Sequence, residues 1–371
     1  MKSIYLDYNA TSPLDPEVLE VMLPYLTENF ANSLSFHSFG QRAAQGLNQA
    51  RNEVAALINC QPSEIIFTGG GTESNNSIIR GVAKSRASLG NHIITSQIEH
   101  PSIIKCCQEL ALLGFETTFL PVNHFGQIDI NELEKAITPK TILISIMHAN
   151  NEVGTVQPIA EIGRLARQKN IYFHTDTAQS ISKIPVDVQA MNIDLLTIAA
   201  HKFYGPKGVG ALFVREGVEV APYMLGAGHE NGRRAGTVNV AGAVGLGKAC
   251  LLAKNSSTIA SVKEKRDKFH QLITESLKNV KLNGHPSERL PNTLNLSFSG
   301  QDGQKLLLAT EIAASLGAAC HTSSRQPSAV LSAMGVSAED SLGAIRFSFG
   351  KFTSMEDVIE AAERIINACK S

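Results

Sequence analysis

The stretch Leu195-Leu196-Thr197-Ile198-Ala199-Ala200-His201-Lys202-Phe203-Tyr204-Gly205-Pro206-Lys207-Gly208 decides the fold. Its first five residues are apolar or β-branched with no polar alternation, the pattern of a strand covered on both faces. A Gly-Pro turn then breaks the chain, and a second such run, Gly210–Val214, follows at once. Working outward, the same pattern predicts strands at 64–68, His92–Ser96, 116–121, 141–147 and 171–175. Between them lie helical patterns such as 39–58, where Ala43, Leu47, Ala50, Val54 and Leu57 recur three or four residues apart. Short apolar strands alternating with helices predict an α/β domain, its sheet mostly parallel and buried on both sides.

The pattern changes near residue 255. Asn255-Ser256-Ser257-Thr258 reads as a helix start, followed by a charged helix over 262–278. Strands are predicted at 292–299 and 344–349, and an amphipathic helix closes the chain over 355–369. This describes a smaller α+β domain. We assign residues 14–255 to the large domain, and residues 1–13 with 256–371 to the small one.

Composition narrows the partners. The chain has 371 residues, more than one domain usually needs, with 43% apolar and 18% charged residues. Lys+Arg number 33 against 34 Asp+Glu, a balance that recruits neither nucleic acid nor an anionic membrane. No run approaches the roughly 20 apolar residues a membrane helix requires, and Met-Lys-Ser leads into Ile4-Tyr5-Leu6 without a signal-peptide pattern. The six cysteines, Cys60, Cys106, Cys107, Cys250, Cys320 and Cys369, form no C-x-x-C pair. Neither a disulfide framework nor a metal site is indicated, and a reducing cytoplasm is expected.

Four features stand at the ends of different predicted strands, where an open α/β sheet gathers its ligands. Lys202 follows the strand Leu195–Ala199; such a lysine is ordinarily solvated, but one desolvated there can form a Schiff base. Thr68-Gly69-Gly70-Gly71-Thr72-Glu73-Ser74-Asn75-Asn76 is a glycine run at a helix start. It suits an anion or, equally, a plain tight turn, and it lacks the Walker lysine. Asp176 can hold a protonated pyridine nitrogen or serve as a helix N-cap. His100, before Pro101, is a turn histidine or a ring for stacking. Together they supply what pyridoxal 5′-phosphate (PLP) needs: a phosphate loop, a carboxylate, a stacking ring and a Schiff-base lysine.

The sequence resembles class V aminotransferase-fold, fold-type I PLP enzymes, in particular cysteine desulfurases of the NifS/IscS kind. The resemblance rests on Tyr5-Leu6-Asp7-Tyr8-Asn9-Ala10-Thr11, Gly70–Asn76 as quoted above and Met147-His148-Ala149-Asn150-Asn151-Glu152-Val153-Gly154. It rests equally on Asp176-Thr177-Ala178-Gln179, His201-Lys202-Phe203-Tyr204-Gly205-Pro206 and Gly236-Thr237, and it runs in order along nearly the whole chain. It implies that Lys202 carries PLP, that His100 stacks on the ring and that Asp176 pairs with the ring nitrogen. Gln179 and Asn151 are implied to contact the ring oxygen and nearby groups, and Gly71, Thr72 and His201 the phosphate. Thr237 is implied to reach the phosphate of a neighbouring subunit, which makes a homodimer the expected assembly. Arg346 matches the arginine that holds the substrate carboxylate. The family commonly has Ser-Gly where this chain has Ala199-Ala200, so one phosphate contact is expected to be missing, with weaker PLP affinity unless another donor replaces it.

Cys320 opens the polar stretch His321-Thr322-Ser323-Ser324-Arg325-Gln326-Pro327-Ser328. A cysteine among small residues is usually an inert buried thiol, but this one matches the family's nucleophile-bearing loop. The resemblance implies that Lys202 removes the α-proton of L-cysteine, that Cys320 takes the sulfur as a persulfide, and that His100 exchanges the thiol proton. Alanine leaves, and a sulfur-acceptor protein of iron–sulfur or related biosynthesis is the expected partner. Gly317–Cys320 with His321 is also similar to selenocysteine lyases, which keeps L-selenocysteine as an alternative substrate. Another class V PLP enzyme, or a docking platform without catalysis, is a more distant alternative.

Overall fold

In a computed structural model, residues 3–255, 257–316, 318–319 and 326–370 are described; Cys320 and His321 lie outside them. A two-residue strand, β1 (Ile4–Tyr5), precedes the large sheet. That sheet has seven strands: β2 (Ile65–Thr68), β3 (His92–Ser96), β4 (Glu116–Leu120), β5 (Thr141–Ser145), β6 (Tyr172–Asp176), β7 (Leu195–Ala199) and β8 (Gly210–Val214). Their order is β2-β8-β7-β6-β5-β3-β4, and β8 alone runs antiparallel to its neighbours. The α/β class read from the sequence is the architecture observed, with a mixed, mostly parallel sheet.

Successive residues of each strand enter different apolar layers. Ile94, Ile144, Leu196 and Phe213 pack on one face beneath Leu47, Val54 and Leu246 of the helices Ser38–Ile58 and Val240–Lys254. Ile93, Leu143, Leu195 and Leu212 pack on the other beneath Ile78, Ile79 and Ile103 of the helices Gly71–Ser85 and Pro101–Ala111. Both faces being covered explains why these strands show no polar alternation. Each large side chain so buried contributes about 1.5–3 kcal/mol.

A second sheet is built from β9 (Val280–Asn283) and β10 (Thr293–Phe298), with β11 (Ile312–Ala313) pairing β1 separately. Its remaining strands are β12 (Ser315–Leu316) and β15 (Ala344–Ser348), in the order β12-β15-β10-β9. Between them β13 (Ala318–Ala319) and β14 (Gln326–Pro327) pair antiparallel. Ile4 and Leu6 share an apolar cluster with Phe269, Phe298, Phe347 and Ile365 of this part of the chain. The charged helix spans Thr258–Ser276 and the closing helix Met355–Lys370.

Two strand ends differ instructively from expectation. The strand predicted over 141–147 stops at Ser145, because the Met147 N–H is taken by the buried Glu99 carboxylate at 2.9 and 3.1 Å. The strand predicted over 171–175 runs on to Asp176, which stays in register with Thr197 of β7. Among the described residues no helix is long and apolar enough to cross a membrane.

Candidate active site

Gly71, Thr72, His100, Asn151, Asp176, Gln179, His201, Lys202 and Arg346 all face one cavity of about 300 Å³. The fold brings them there from five strand ends of the large sheet and from β15 of the small one. Thr237 does not join them; it is exposed, following Gly236 at φ +93°. Its segment is tied back through Arg234, whose guanidinium pairs with Glu73 of the phosphate-loop helix at 2.9 Å.

Lys202 sits in a short turn, Ala200–Lys202, just past β7. Its Nζ donates to the carbonyls of Asn9 and Ala10, each at 2.8 Å. Burial lowers its pKa to about 8, helped by the Arg346 charge and opposed by Asp176 and Asp7. A lysine amine so depressed is available as a nucleophile and base near neutrality.

Asp176 is a buried carboxylate at 8% exposure. Its Oδ1 accepts from the Ala178 N–H and its Oδ2 from Asn75 Nδ2, both at 2.8 Å. No salt bridge neutralises it among the described residues. No helix starts at Asp176, so the N-cap reading gives way to a turn cap, with Oδ1 on the Ala178 N–H, while the carboxylate lines the cavity.

Asn75 also donates to Ser102 Oγ at 2.9 Å, and Ser102 lies 2.8 Å from His100 Nδ1. Because His100 Nδ1 accepts the Ser102 N–H, the neutral ring carries its proton on Nε2. Burial lowers the His100 pKa, with Asp176 opposing and Lys202 assisting. Sequence reasoning assigned no role to Asn75, although it lies inside the glycine motif.

At the other end, Gly70 adopts φ +141° and opens the helix Gly71–Ser85, so the glycine run is a helix start rather than a plain turn. A Cβ at Gly71 would lie 3.3 Å from Ala199 Cβ, and one at Gly210 would meet Gly70 Cα at 2.9 Å. Glycine lets the backbone N–H groups at this helix start come close to an anion. His201, lowered to about 4 by burial and by Lys202 and Lys207, is neutral at pH 7. Its Nδ1 lies 3.2 Å from Thr11 Oγ1.

Arg346 closes the cavity. Its Nη1 donates to the Asn151 carbonyl at 3.0 Å, and its Nη2 to Asp7 Oδ1 and Ser315 Oγ at 2.8 Å. Its Nε is buried and has no hydrogen-bond partner among the described residues. Asn9 receives Gln179 Nε2 on its carbonyl at 2.9 Å and donates its own Nδ2 to the Asn151 carbonyl at 3.1 Å. Asn9 is thus the hub joining Lys202, Gln179 and Asn151. Its partners lie more than a hundred residues away, out of reach of any local pattern.

The class-V aminotransferase family model matches residues 4–360. The chain belongs to the class-V aminotransferase family. Among its relatives is the cysteine desulfurase IscS of Dictyoglomus turgidum, 47% identical over 378 residues, covering 100% of this chain and 96% of that protein. A solved NifS-like protein superposes with a TM-score of 0.92 at 35% identity, covering all of both chains. A structure described as SspA in complex with cysteine has a TM-score of 0.86 at 38% identity, covering 95% of this chain and all of that one.

Class-V aminotransferases are PLP enzymes, and the cavity fits the cofactor. Asp176 offers a buried carboxylate, without an ion pair among the described residues, to a cationic ring nitrogen, and the glycine-built helix start offers backbone donors to a phosphate. The depressed amine of Lys202 lines the same cavity, available to hold the aldehyde.

Proposed function

We propose that the protein is a PLP-dependent cysteine desulfurase, converting L-cysteine to L-alanine with transfer of the sulfur to Cys320. The observation that carries this reading is the depressed amine of Lys202, facing a cavity that also presents the Asp176 carboxylate and the Arg346 guanidinium. The named relatives, cysteine desulfurases at up to 47% identity over the whole chain, favour cysteine over selenocysteine as substrate.

Bound PLP supplies an electron sink for charge developing at the substrate α-carbon. Asp176 keeps that sink effective by holding the ring nitrogen protonated, and Arg346 with Asn151 orients the substrate carboxylate. Lys202, its pKa depressed to about 8, takes the α-proton in its neutral form. His100, its Nε2–H turned to the cavity, exchanges the proton of the substrate thiol. The Cys320 thiolate attacks the substrate sulfur, forming an S–S bond as the C–S bond breaks. L-Cysteine and the Cys320 thiol become L-alanine and the Cys320 persulfide.

The other five cysteines support Cys320 by contrast. Cys60, Cys106, Cys107, Cys250 and Cys369 are free thiols whose pKa values are all raised by burial. Protonated thiols are poor nucleophiles.

Gly71, Thr72 and His201 hold the phosphate in this reading, joined by Thr237 of a second subunit in a homodimer. The protein acts in the cytoplasm and passes its sulfur to an acceptor protein of iron–sulfur or related biosynthesis. Residues 14–255 form the cofactor domain, and residues 1–13 with 256–371 the domain bearing Cys320. Cys320→Ala tests the core of the reading: it leaves the cofactor absorbance intact and abolishes alanine formation from cysteine. Retained alanine production sinks the assignment. Steady-state rates on L-cysteine and L-selenocysteine test the substrate.

A further inference from the structure

A second lysine stands behind the site, and the mechanism leaves it unused. Lys183 lines, together with Lys202, a separate cavity of about 300 Å³ on the far side of the Lys202 side chain. Its Nζ meets no carboxylate among the described residues. It donates instead to the Gln179 carbonyl at 2.9 Å and to Gln179 Oε1 at 3.2 Å. Gln179 turns its other amide atom, Nε2, to the Asn9 carbonyl at 2.9 Å. That same carbonyl accepts the Lys202 ammonium.

We infer that Lys183 is a positioning residue that fixes which way the Gln179 amide faces the cofactor cavity. An amide has two near-isosteric orientations, and only its hydrogen-bond partners choose between them. A cationic or neutral lysine can donate to an amide oxygen, but a cation cannot accept from the NH₂ group. With Lys183 in place, Oε1 points rearward and the NH₂ group forward, where one hydrogen is used by Asn9 and the second is left for the cavity. Gln179 is 6% exposed, so the reversed amide would set its NH₂ group against the Lys183 donor in a buried place.

The charges around Lys183 set the range of this role, because only its cationic form excludes the reversed amide. Its pKa is lowered to about 7 by burial first, then by the Lys202 and Arg346 charges. Lys351 and Asp15, which face the same cavity, pair with each other. Lys183 is thus held in its part-buried place by contacts to Gln179, with no ion pair among the described residues.

The inference rests on the reading that Gln179 touches the cofactor, and a double-mutant cycle on the holoenzyme separates the two. Lys183→Met keeps the stem and removes the donor. It is expected to shift the visible absorbance band of bound PLP and to speed cofactor loss in dialysis about tenfold, the scale of one hydrogen bond. In a Gln179→Met background, Lys183→Met is expected to add nothing to either readout. An unshifted band and unchanged cofactor loss in Lys183→Met overturn the inference, and so does the same increment in both backgrounds. An unshifted band in Gln179→Met alone overturns the underlying placement of Gln179 instead. Should Lys183→Met fail to fold, Lys183→Gln, shorter and neutral, is taken through the same cycle with the same outcomes. The cycle does not involve Cys320, so the desulfurase reading is judged separately by Cys320→Ala.

Discussion

The two ends of the cavity are both suited to anions, and they are built from different materials. The Gly70-Gly71-Thr72 end offers backbone donors at a helix start, with a histidine kept neutral by burial. The Arg346 end offers a full positive charge, braced by Asp7, Ser315 and the Asn151 carbonyl. The first suits a group that stays bound, because backbone dipoles do not titrate and hold their geometry. The second suits a carboxylate that arrives and leaves in each turnover, because a charge attracts it from a distance and a planar fork orients it. In the proposed reading one end takes the cofactor and the other the substrate.

Removing the charged end should produce the largest effect. Arg346→Ala takes away the carboxylate's partner and leaves the part-buried Asp7 with only the Ser315 hydroxyl. Steady-state kinetics on L-cysteine should show kcat/KM down roughly 100- to 1000-fold, while the PLP content of the purified protein stays unchanged. Arg346→Lys should recover only part, since lysine keeps the charge and loses the fork. PLP loss in either variant would break the division between the two ends.

The amine between the ends gives the next effect, a pH dependence. Only neutral Lys202 can capture the cofactor aldehyde, and its pKa is depressed to about 8. Reconstitution of the apoprotein with PLP should therefore quicken about tenfold per pH unit below that value and level off above it. Because the Arg346 charge is the second cause of the depression, Arg346→Ala should move the midpoint upward. The neutral glycine end has no group titrating in that window, since His201 lies near 4. A profile that is flat from pH 6 to 8 would contradict the depressed amine.

A smaller effect is expected where the backbone itself is the ligand. Gly71→Val places a β-branched side chain against Ala199, whose Cβ is 3.3 Å from even the first added carbon. The loop must shift, and PLP should bind about ten- to a hundredfold more weakly by equilibrium titration, on the scale of a misplacement near 1 Å. The KM for cysteine, measured at saturating PLP, should hardly change. Equal losses in both would mean that the two ends move together.

What was legible in the sequence follows the range of the interactions. β3, β7 and β8 could be read to the residue, because a doubly covered strand writes an unbroken apolar run. Lys202, Asp176 and His100 were legible because each stands just past such a run. The end of β5 was not, since a carboxylate 48 residues away, Glu99, removes Met147 from the ladder. Asn9, Asn75 and Lys183 act through contacts that the fold creates, and although Asn9 and Asn75 lie inside quoted motifs, no periodicity or spacing gives them a role. Cys320 was singled out by resemblance, and its support here is indirect, from five other thiols whose pKa values burial raises.

The smallest effect tests how complete the glycine end already is. Ala199 lines the cavity beside Gly71, at the position where the resemblance expects a serine. Ala199→Ser adds a hydroxyl there with little bulk. If the backbone donors, Thr72 and His201 leave one phosphate oxygen without a partner, the new hydrogen bond should tighten PLP about fivefold, since such a bond contributes about 1 kcal/mol. Titration of the apoprotein with PLP reads this directly, and cysteine kinetics at saturating PLP should stay the same. An unchanged or weaker affinity would mean that the existing donors already satisfy the phosphate. The missing serine would then be a substitution the helix start has absorbed, and the uncharged end of the cavity would be as self-sufficient as the charged one.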